Sequence, residues 1–329
     1  MPSEFPKKAI HGGKILEMKR RFKGSLLDVS ASMNPFVPEF TCAYNHDDLA
    51  VYPDDSYAEL KEKIARTFNR NVDEICVGNG SAEIIRVFCK VTDGKTCRID
   101  MPTFGEYSLS ARLAGKTVIQ NAQADIRFIC NPNNPTGILT PRDEMLNLAQ
   151  EAEDTSSMLF VDEAFMELAE KDESISDVHS ENLFVMRSIT KCFTVPGLRF
   201  GFGFGEPKLI EKIETARTPW TVNAFAEKYA ITAFDHYEEL KESAAKITEE
   251  RNWYTAEIEK LGLSCYPSQV NFITIKLGKP ASEVWAKMLE HGISVRDCTS
   301  FELPECIRVS VETRDKNRRV LEVLSECLH

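Results

Sequence analysis

The chain reads as an α/β protein in which a large domain built on a mostly parallel sheet is followed by a small α+β domain. Three observations predict this. Between residues 74 and 204, short and nearly continuous apolar runs alternate with amphipathic stretches of helical period, the pattern of parallel strands covered on both faces. Several of those runs end in polar, turn-rich segments, the expected character of loops at strand ends. After about residue 261 the rhythm changes to strand, helix, strand, strand, helix, which suits a separate small domain. At 329 residues and 43% hydrophobic content, the chain can bury one full core and a second, smaller one.

The elements follow in order. Residues 1–35 read as an arm, with His11-Gly12-Gly13, a basic amphipathic stretch over 14–23, then Leu26 to Ser30 and Ser32-Met33-Asn34-Pro35. Glycines beside His11 let backbone and imidazole approach a ligand closely, and Asn34 before a proline is held extended. Tyr52-Pro53-Asp54-Asp55 precedes a helix over 56–68, whose apolar face is Tyr57, Leu60, Ile64 and Phe68. A strand over 75–77 runs through Gly78-Asn79-Gly80-Ser81 into a helix over 82–91. A glycine turn feeding a helix start presents unpaired N–H groups and the positive end of the helix dipole, a place for a phosphate. A strand over 96–101 leads through Phe104 and Tyr107 into a helix to 114. The strand over 127–130 ends in the turn-rich loop Asn131 to Gly137, and a helix over 141–152 leads to the strand over 158–161 that ends in Asp162. Strands over 183–186 and 200–204 bracket Lys191 and Arg199. Helices are expected through about 261, interrupted at 218–223. The small domain has strands over 271–277, 293–296 and 307–311 and helices over 281–291 and 315–327. The domains are thus expected at 1–35, 36–245 and 246–329. In such sheets ligands bind at the carboxyl ends of the strands, where the polar loops fall.

Bulk properties exclude several functions. With 51 acidic against 40 basic residues the net charge is −11, which argues against nucleic acid or an anionic membrane as partner. An anionic ligand must then be met by a local cluster of arginines. Ten cysteines are scattered singly, without C-x-x-C or histidine at zinc-ligand spacing, so neither a metal site nor a disulfide framework is indicated. Residues 1–10 hold no apolar h-region and no apolar run is long enough to span a bilayer, which predicts a soluble, untargeted, cytoplasmic protein with reduced thiols.

The chemistry centres on residues 187–201. Lys191 follows a short apolar strand, with Ser188 three residues before it and Arg199 eight after. That arrangement suits a cofactor carrying both an aldehyde, for Lys191, and a phosphate, for Ser188 and Arg199.

Taken together, these loops resemble the fold type I pyridoxal-phosphate enzymes, the aspartate aminotransferase superfamily, over essentially the whole chain. The resemblance implies pyridoxal 5'-phosphate as cofactor, held covalently by Lys191. It implies a phosphate cup of Ser188, Arg199 and the Gly80-Ser81-Ala82 helix start, with Tyr52 reaching the same phosphate from the neighbouring subunit of a homodimer. Asp162 matches the aspartate that pairs with the pyridine nitrogen, Asn134 the donor to the 3'-oxygen, and Phe104 the aromatic stacked on the ring. Arg308 matches the arginine that grips a substrate α-carboxylate by a fork-to-fork pairing that lysine does not reproduce. The arm is expected to pack with the small domain.

Two branches of that superfamily share these features. Tyr52-Pro53-Asp54, the 131–137 loop and Asp162-Glu163-Ala164 resemble histidinol-phosphate aminotransferase. His11-Gly12-Gly13, Ser32 to Pro35, Phe165 in place of the usual tyrosine, Thr190-Lys191 with Pro196 to Arg199, Pro219 to Asn223 and Arg296-Asp297-Cys298 resemble L-threonine-O-3-phosphate decarboxylase. The second resemblance implies decarboxylation of a small phosphorylated amino acid, giving (R)-1-aminopropan-2-yl phosphate for cobalamin biosynthesis, with His11, Asn34, Asn134, Arg296 and Arg308 holding the substrate. The first implies transamination, and a non-catalytic cofactor-fold protein is the remote alternative. Phe165 cannot donate to the cofactor's 3'-oxygen, so the lysine–cofactor linkage should hold its proton more tightly. Two departures stand out: residues 119–126 leave no room for the longer excursion expected there, which predicts a trimmed sheet edge, and the loop over 300–305 is short.

Overall fold

The computed structural model describes residues 5–22 and 24–328. Residues 1–4 of the expected arm, Lys23 at the end of its basic stretch and His329 lie outside the described residues.

The arm holds helix α1 (Ile15–Arg21) and strand β1 (Leu27–Asp28). Helix α2 (Ala58–Phe68) follows, starting two residues later than the apolar periodicity suggests because Tyr57 adopts a left-handed conformation at its N-cap. Tyr57, Leu60 and Ile64 are fully buried on its inner face. The chain then alternates β2 (Ile75–Gly78), α3 (Ser81–Val91), β3 (Thr96–Arg98), α4 (Gly105–Leu113), β4 (Thr117–Ile119), β5 (Ile126–Cys130), α5 (Arg142–Asp154), β6 (Met158–Asp162), β7 (Leu183–Arg187), the single turn α6 (Ile189–Cys192) and β8 (Gly201–Phe204). Three helices follow, α7 (Pro207–Ala216), α8 (Ala224–Asp235) and α9 (Leu240–Lys260). The remainder is β9 (Ser264–Cys265), β10 (Phe272–Lys276), α10 (Ala281–Glu290), β11 (Ile293–Ser294), β12 (Arg296–Asp297), β13 (Cys306–Ser310) and α11 (Arg314–Leu328).

Seven strands form the large sheet in the order β2-β8-β7-β6-β5-β3-β4. All neighbours are parallel except β8, which runs antiparallel to both β2 and β7. Alternation along the central strands serves two cores: Leu159, Val161, Leu183 and Val185 point into one, while Phe160, Phe184 and Met186 point into the other with Phe128 and Phe88. The expected trimmed edge is partly present. Strand β4 survives as a three-residue edge paired to β3, and only a short link joins it to β5.

The small sheet is antiparallel, in the order β12-β13-β10-β9. The single strand expected over 293–296 is two, because the chain leaves one sheet and joins another at Val295: β11 pairs in parallel with β1 of the arm, and β12 pairs with β13. Val29 of the arm is completely buried in the small core. Helix α9 enters both cores, with Leu240 and Ile247 in the large one and Tyr254 and Ile258 in the small one, so the boundary expected after residue 245 falls inside a helix. No described helix is long and apolar enough to cross a membrane.

Candidate active site

Strands β5 and β6 and the turn α6 deliver Cys130, Asp162 and Lys191 to one end of the sheet, where a cleft of about 530 Å³ opens between the large sheet, the small sheet and the arm. Its lining includes His11, Ser81, Ala82, Phe104, Asn134, Asp162, Phe165, Lys191, Arg199, Arg296 and Arg308. Residues that are distant in sequence thus share one space.

Lys191 is half-buried at this floor. Desolvation, followed by the positive charges of Arg308 and Arg199, lowers its amine to about 8, with Asp162 acting the other way. An amine so placed is a far better nucleophile near neutral pH than a surface lysine. Its nitrogen lies 5.8 Å from the Phe165 ring centre, and Phe165 packs edge-on against Phe272 at 5.2 Å.

Asp162 is buried at the end of β6. Its Oδ1 accepts from the Ala164 N–H at 2.9 Å and its Oδ2 from the Tyr107 hydroxyl at 2.6 Å. Burial raises its carboxyl to about 6, against those two hydrogen bonds. Asn134 offers its carboxamide oxygen to Arg308 Nη1, and its amide nitrogen has no partner among the described residues.

The anion cup is built by close backbone approach. Gly80 precedes α3 with φ 77° and ψ 162°, a region that essentially only glycine occupies, and a Cβ there would run into Arg199 Nη2. Gly201 of β8 brings the strand so near that a Cβ would lie 2.7 Å from the Ser81 nitrogen. Arg199 is itself left-handed (φ 63°) and donates to the Pro196 carbonyl at 3.1 Å. Replacing Gly80 by alanine is expected to destabilise the protein by about 1–3 kcal/mol and to weaken phosphate binding. Thermal unfolding of the cofactor-free protein and a cofactor titration check both effects.

Arg308 is buried on β13, donating to Asn134 and to the Ser30 carbonyl at 3.0 Å, with its Nε unpaired. Burial lowers its guanidinium to about 10. Arg296 donates to the carbonyls of Asp297 (2.6 Å) and Ile10 (2.9 Å) and to the Ser300 hydroxyl (2.6 Å). Neither arginine has a carboxylate partner among the described residues. Buried cations without counter-ions are costly, and a cleft that keeps two of them is built for anions.

Three of the expected site residues do not line the cleft of their own chain. Asn34 does not line the cleft: its amide donates to the Cys192 carbonyl at 2.8 Å while its oxygen accepts from the Phe36 N–H at 2.8 Å, so it braces the turn after Lys191. The Ser188 hydroxyl bonds to Thr190 Oγ1 and to the Phe200 carbonyl, capping α6, and Thr190 lines the cleft in its place. Tyr52 is 77% exposed and stacks on Trp220 at 4.4 Å, away from the cleft of its own chain. Sequence reasoning missed Tyr107, Thr190 and Glu106; Glu106 lies 2.7 Å from His11 Nε2, and that hydrogen bond, with His11 the larger contributor over Arg86, holds its carboxyl below the usual range. His11 in turn sits against Phe104, with ring centres 5.7 Å apart.

A reactive amine, a buried carboxylate, an aromatic wall and a phosphate-sized cup fit pyridoxal phosphate, the unpaired amide of Asn134 being the donor left for its 3'-oxygen. The comparisons with known proteins agree. The family model "Aminotransferase class I and II" matches residues 36–127 and 119–324. A putative threonine-phosphate decarboxylase of Caldanaerobacter subterraneus is 35% identical, covering 95% of this chain and 92% of the relative. A histidinol-phosphate aminotransferase of Symbiobacterium thermophilum is 32% identical, covering 84% and 82%. Among solved structures, histidinol-phosphate aminotransferase of Sinorhizobium meliloti in complex with pyridoxal-5'-phosphate superposes with a TM-score of 0.85 at 20% identity, over 100% of this chain and 98% of that one. The aspartate-aminotransferase-like fold, the cleft and these matches together establish that the chain belongs to the class I and II aminotransferase family of pyridoxal-phosphate-dependent enzymes.

Proposed function

We propose that the chain is a carboxy-lyase acting on L-threonine O-3-phosphate, releasing CO2 and leaving (R)-1-aminopropan-2-yl phosphate, the step expected in cobalamin biosynthesis. The observation that carries this reading is the pair of buried arginines, Arg308 and Arg296, lining one cleft without a carboxylate partner among the described residues. Two cations answer the two anionic ends of a phosphorylated amino acid. Arg308, backed by Asn134 and stacked at 4.9 Å over Phe272, holds the carboxylate. Arg296 and His11 take the phosphate at the outer end.

Pyridoxal phosphate, when bound, supplies an aldehyde for the substrate nitrogen and a ring that draws electrons from the α-carbon. This chain's residues decide which bond at that carbon is weakened. Arg308 on β13 would grip and orient the carboxylate, and Phe104 and Phe165, which line the same cleft, would keep water from the reacting carbon. Lys191 would return a proton to the α-carbon.

The histidinol-phosphate aminotransferase relatives support a second reading, in which Lys191 moves the α-proton instead. Histidinol phosphate has no carboxylate for Arg308, but the amino-acid partner of a transamination has one. One comparison decides: CO2 release from phosphothreonine without a 2-oxo acid is expected. Histidinol phosphate consumed only with 2-oxoglutarate, and no CO2, would refute the decarboxylase reading.

The exposed aromatic surface of Tyr52, Trp220, Tyr44 and Phe225, beside the exposed Leu49 and Val51, supports a homodimer in which Tyr52 serves the partner's phosphate cup. We place the enzyme in the cytoplasm on its ten free thiols.

A further inference from the structure

Helix α4 turns two adjacent residues toward the site. Glu106 goes to His11, and Tyr107 goes to Asp162. The second contact is the more constrained. The Tyr107 ring is completely buried, stacked on Phe128 at 5.3 Å with an 18° interplanar angle and meeting Phe104 edge-on at 5.5 Å. Its hydroxyl therefore cannot swing to solvent, and it donates to Asp162 Oδ2 at 2.6 Å. Asp162 Oδ1 is engaged by the Ala164 N–H. The other titratable groups around this carboxylate are Cys130 from β5, Glu167 behind β6 and Lys191 across the cleft.

We infer that Tyr107 is a positioning residue for the reaction: through its hydrogen bond to Asp162 it keeps the proton on the ring nitrogen of bound pyridoxal phosphate. The chemistry is a contest between two bases for one proton. A carboxylate buried as deeply as Asp162 is a strong base, because burial disfavours its charge. Left with the Ala164 bond alone it would draw the proton from the pyridinium, and the ring would lose its electron-withdrawing power. A neutral donor on the far oxygen stabilises the carboxylate, makes it the weaker base and leaves the proton on the ring. The same bond holds the carboxylate plane steady while Oδ1 is tied to the Ala164 N–H in the turn after β6. The inference rests on the cofactor and on Asp162 facing its nitrogen, and it is independent of whether the substrate loses CO2 or a proton.

The test uses holoenzyme loaded with pyridoxal phosphate labelled with ¹⁵N in the ring, whose chemical shift separates pyridinium from pyridine. In Tyr107→Phe the ring-nitrogen shift at fixed pH is expected to move toward that of neutral pyridine, because the proton shared by the pair moves toward Asp162, with cofactor affinity weakened ~10–100-fold, as loss of a hydrogen bond to a charged group implies. Replacing Tyr107 by 3-fluorotyrosine, whose hydroxyl is more acidic in an almost unchanged shape, should move the ring-nitrogen shift the other way, toward pyridinium, at the same pH. Phe128→Leu, which loosens the packing of the Tyr107 ring without removing a donor, should lower thermal stability and leave the nitrogen shift in place. If Tyr107→Phe does not fold, the fluorotyrosine arm still decides. An unchanged ring-nitrogen shift at fixed pH with fluorotyrosine, or in a folded Tyr107→Phe, would overturn the inference, as would a Phe128→Leu shift as large as that of Tyr107→Phe. Failure of the decarboxylation assay would touch none of these readings.

Discussion

Lys191→Ala is expected to abolish turnover, losing at least ~10²–10⁴-fold in kcat through its proton-handling role alone. Loss of covalent attachment adds to this. In the parent, borohydride should fix the cofactor to Lys191, and a peptide mass map should find it nowhere else. Cofactor capture should also follow the amine's protonation. Because burial and the neighbouring arginines bring Lys191 down to about 8, the neutral nucleophile grows in as pH rises through that value, and the rate of cofactor uptake by the cofactor-free protein should climb with it. An uptake rate flat from pH 6 to 9 would contradict an amine in that environment. The alanine variant should show slow, reversible uptake with no such pH dependence.

Arg308 gives the second large effect. Arg308→Lys should lower kcat/KM for a carboxylated substrate by about 2–5 kcal/mol, the usual cost of breaking one side of a buried, hydrogen-bonded charge pair. Lysine keeps the charge, but its point ammonium cannot serve Asn134, the Ser30 carbonyl and a substrate carboxylate at fixed angles. The loss should be far smaller for a substrate analogue lacking the carboxylate. Equal losses for both substrates would mean that Arg308 supports the site rather than the substrate.

Much of this architecture is legible along the chain, since strands such as 158–162 and 183–187 are nearly uninterrupted apolar runs and end where the chemistry begins. Directions are less so. Strand β8 reads like its parallel neighbours, yet the short return from Lys191 through Arg199 leaves no length for a crossover, and it lies antiparallel. Lys191, Asp162, Phe104 and Arg308 each lie at the end of an element or in a distinctive segment, which is why they can be singled out in sequence. Tyr107 cannot, because its partner is 55 positions away and nothing local separates it from an ordinary core aromatic. Asn34 and Ser188 stand off the cleft for a local reason: short polar side chains beside a proline or at a strand end bond readily to backbone, and here both do.

Helix α9 bears on how such a chain can be recombined. Its 21 residues lie in a single rod whose first turns belong to the core of the large domain and whose last turns belong to the core of the small one. No seam therefore exists at which the small domain can be lifted out whole. A chimaera that exchanges it between relatives has to be spliced within a continuous helix, where each side chain's neighbours three and four positions away already belong to the other parent. If Arg296 and His11 meet the substrate as proposed, its preference is thus more readily altered at such single cleft positions than by trading modules.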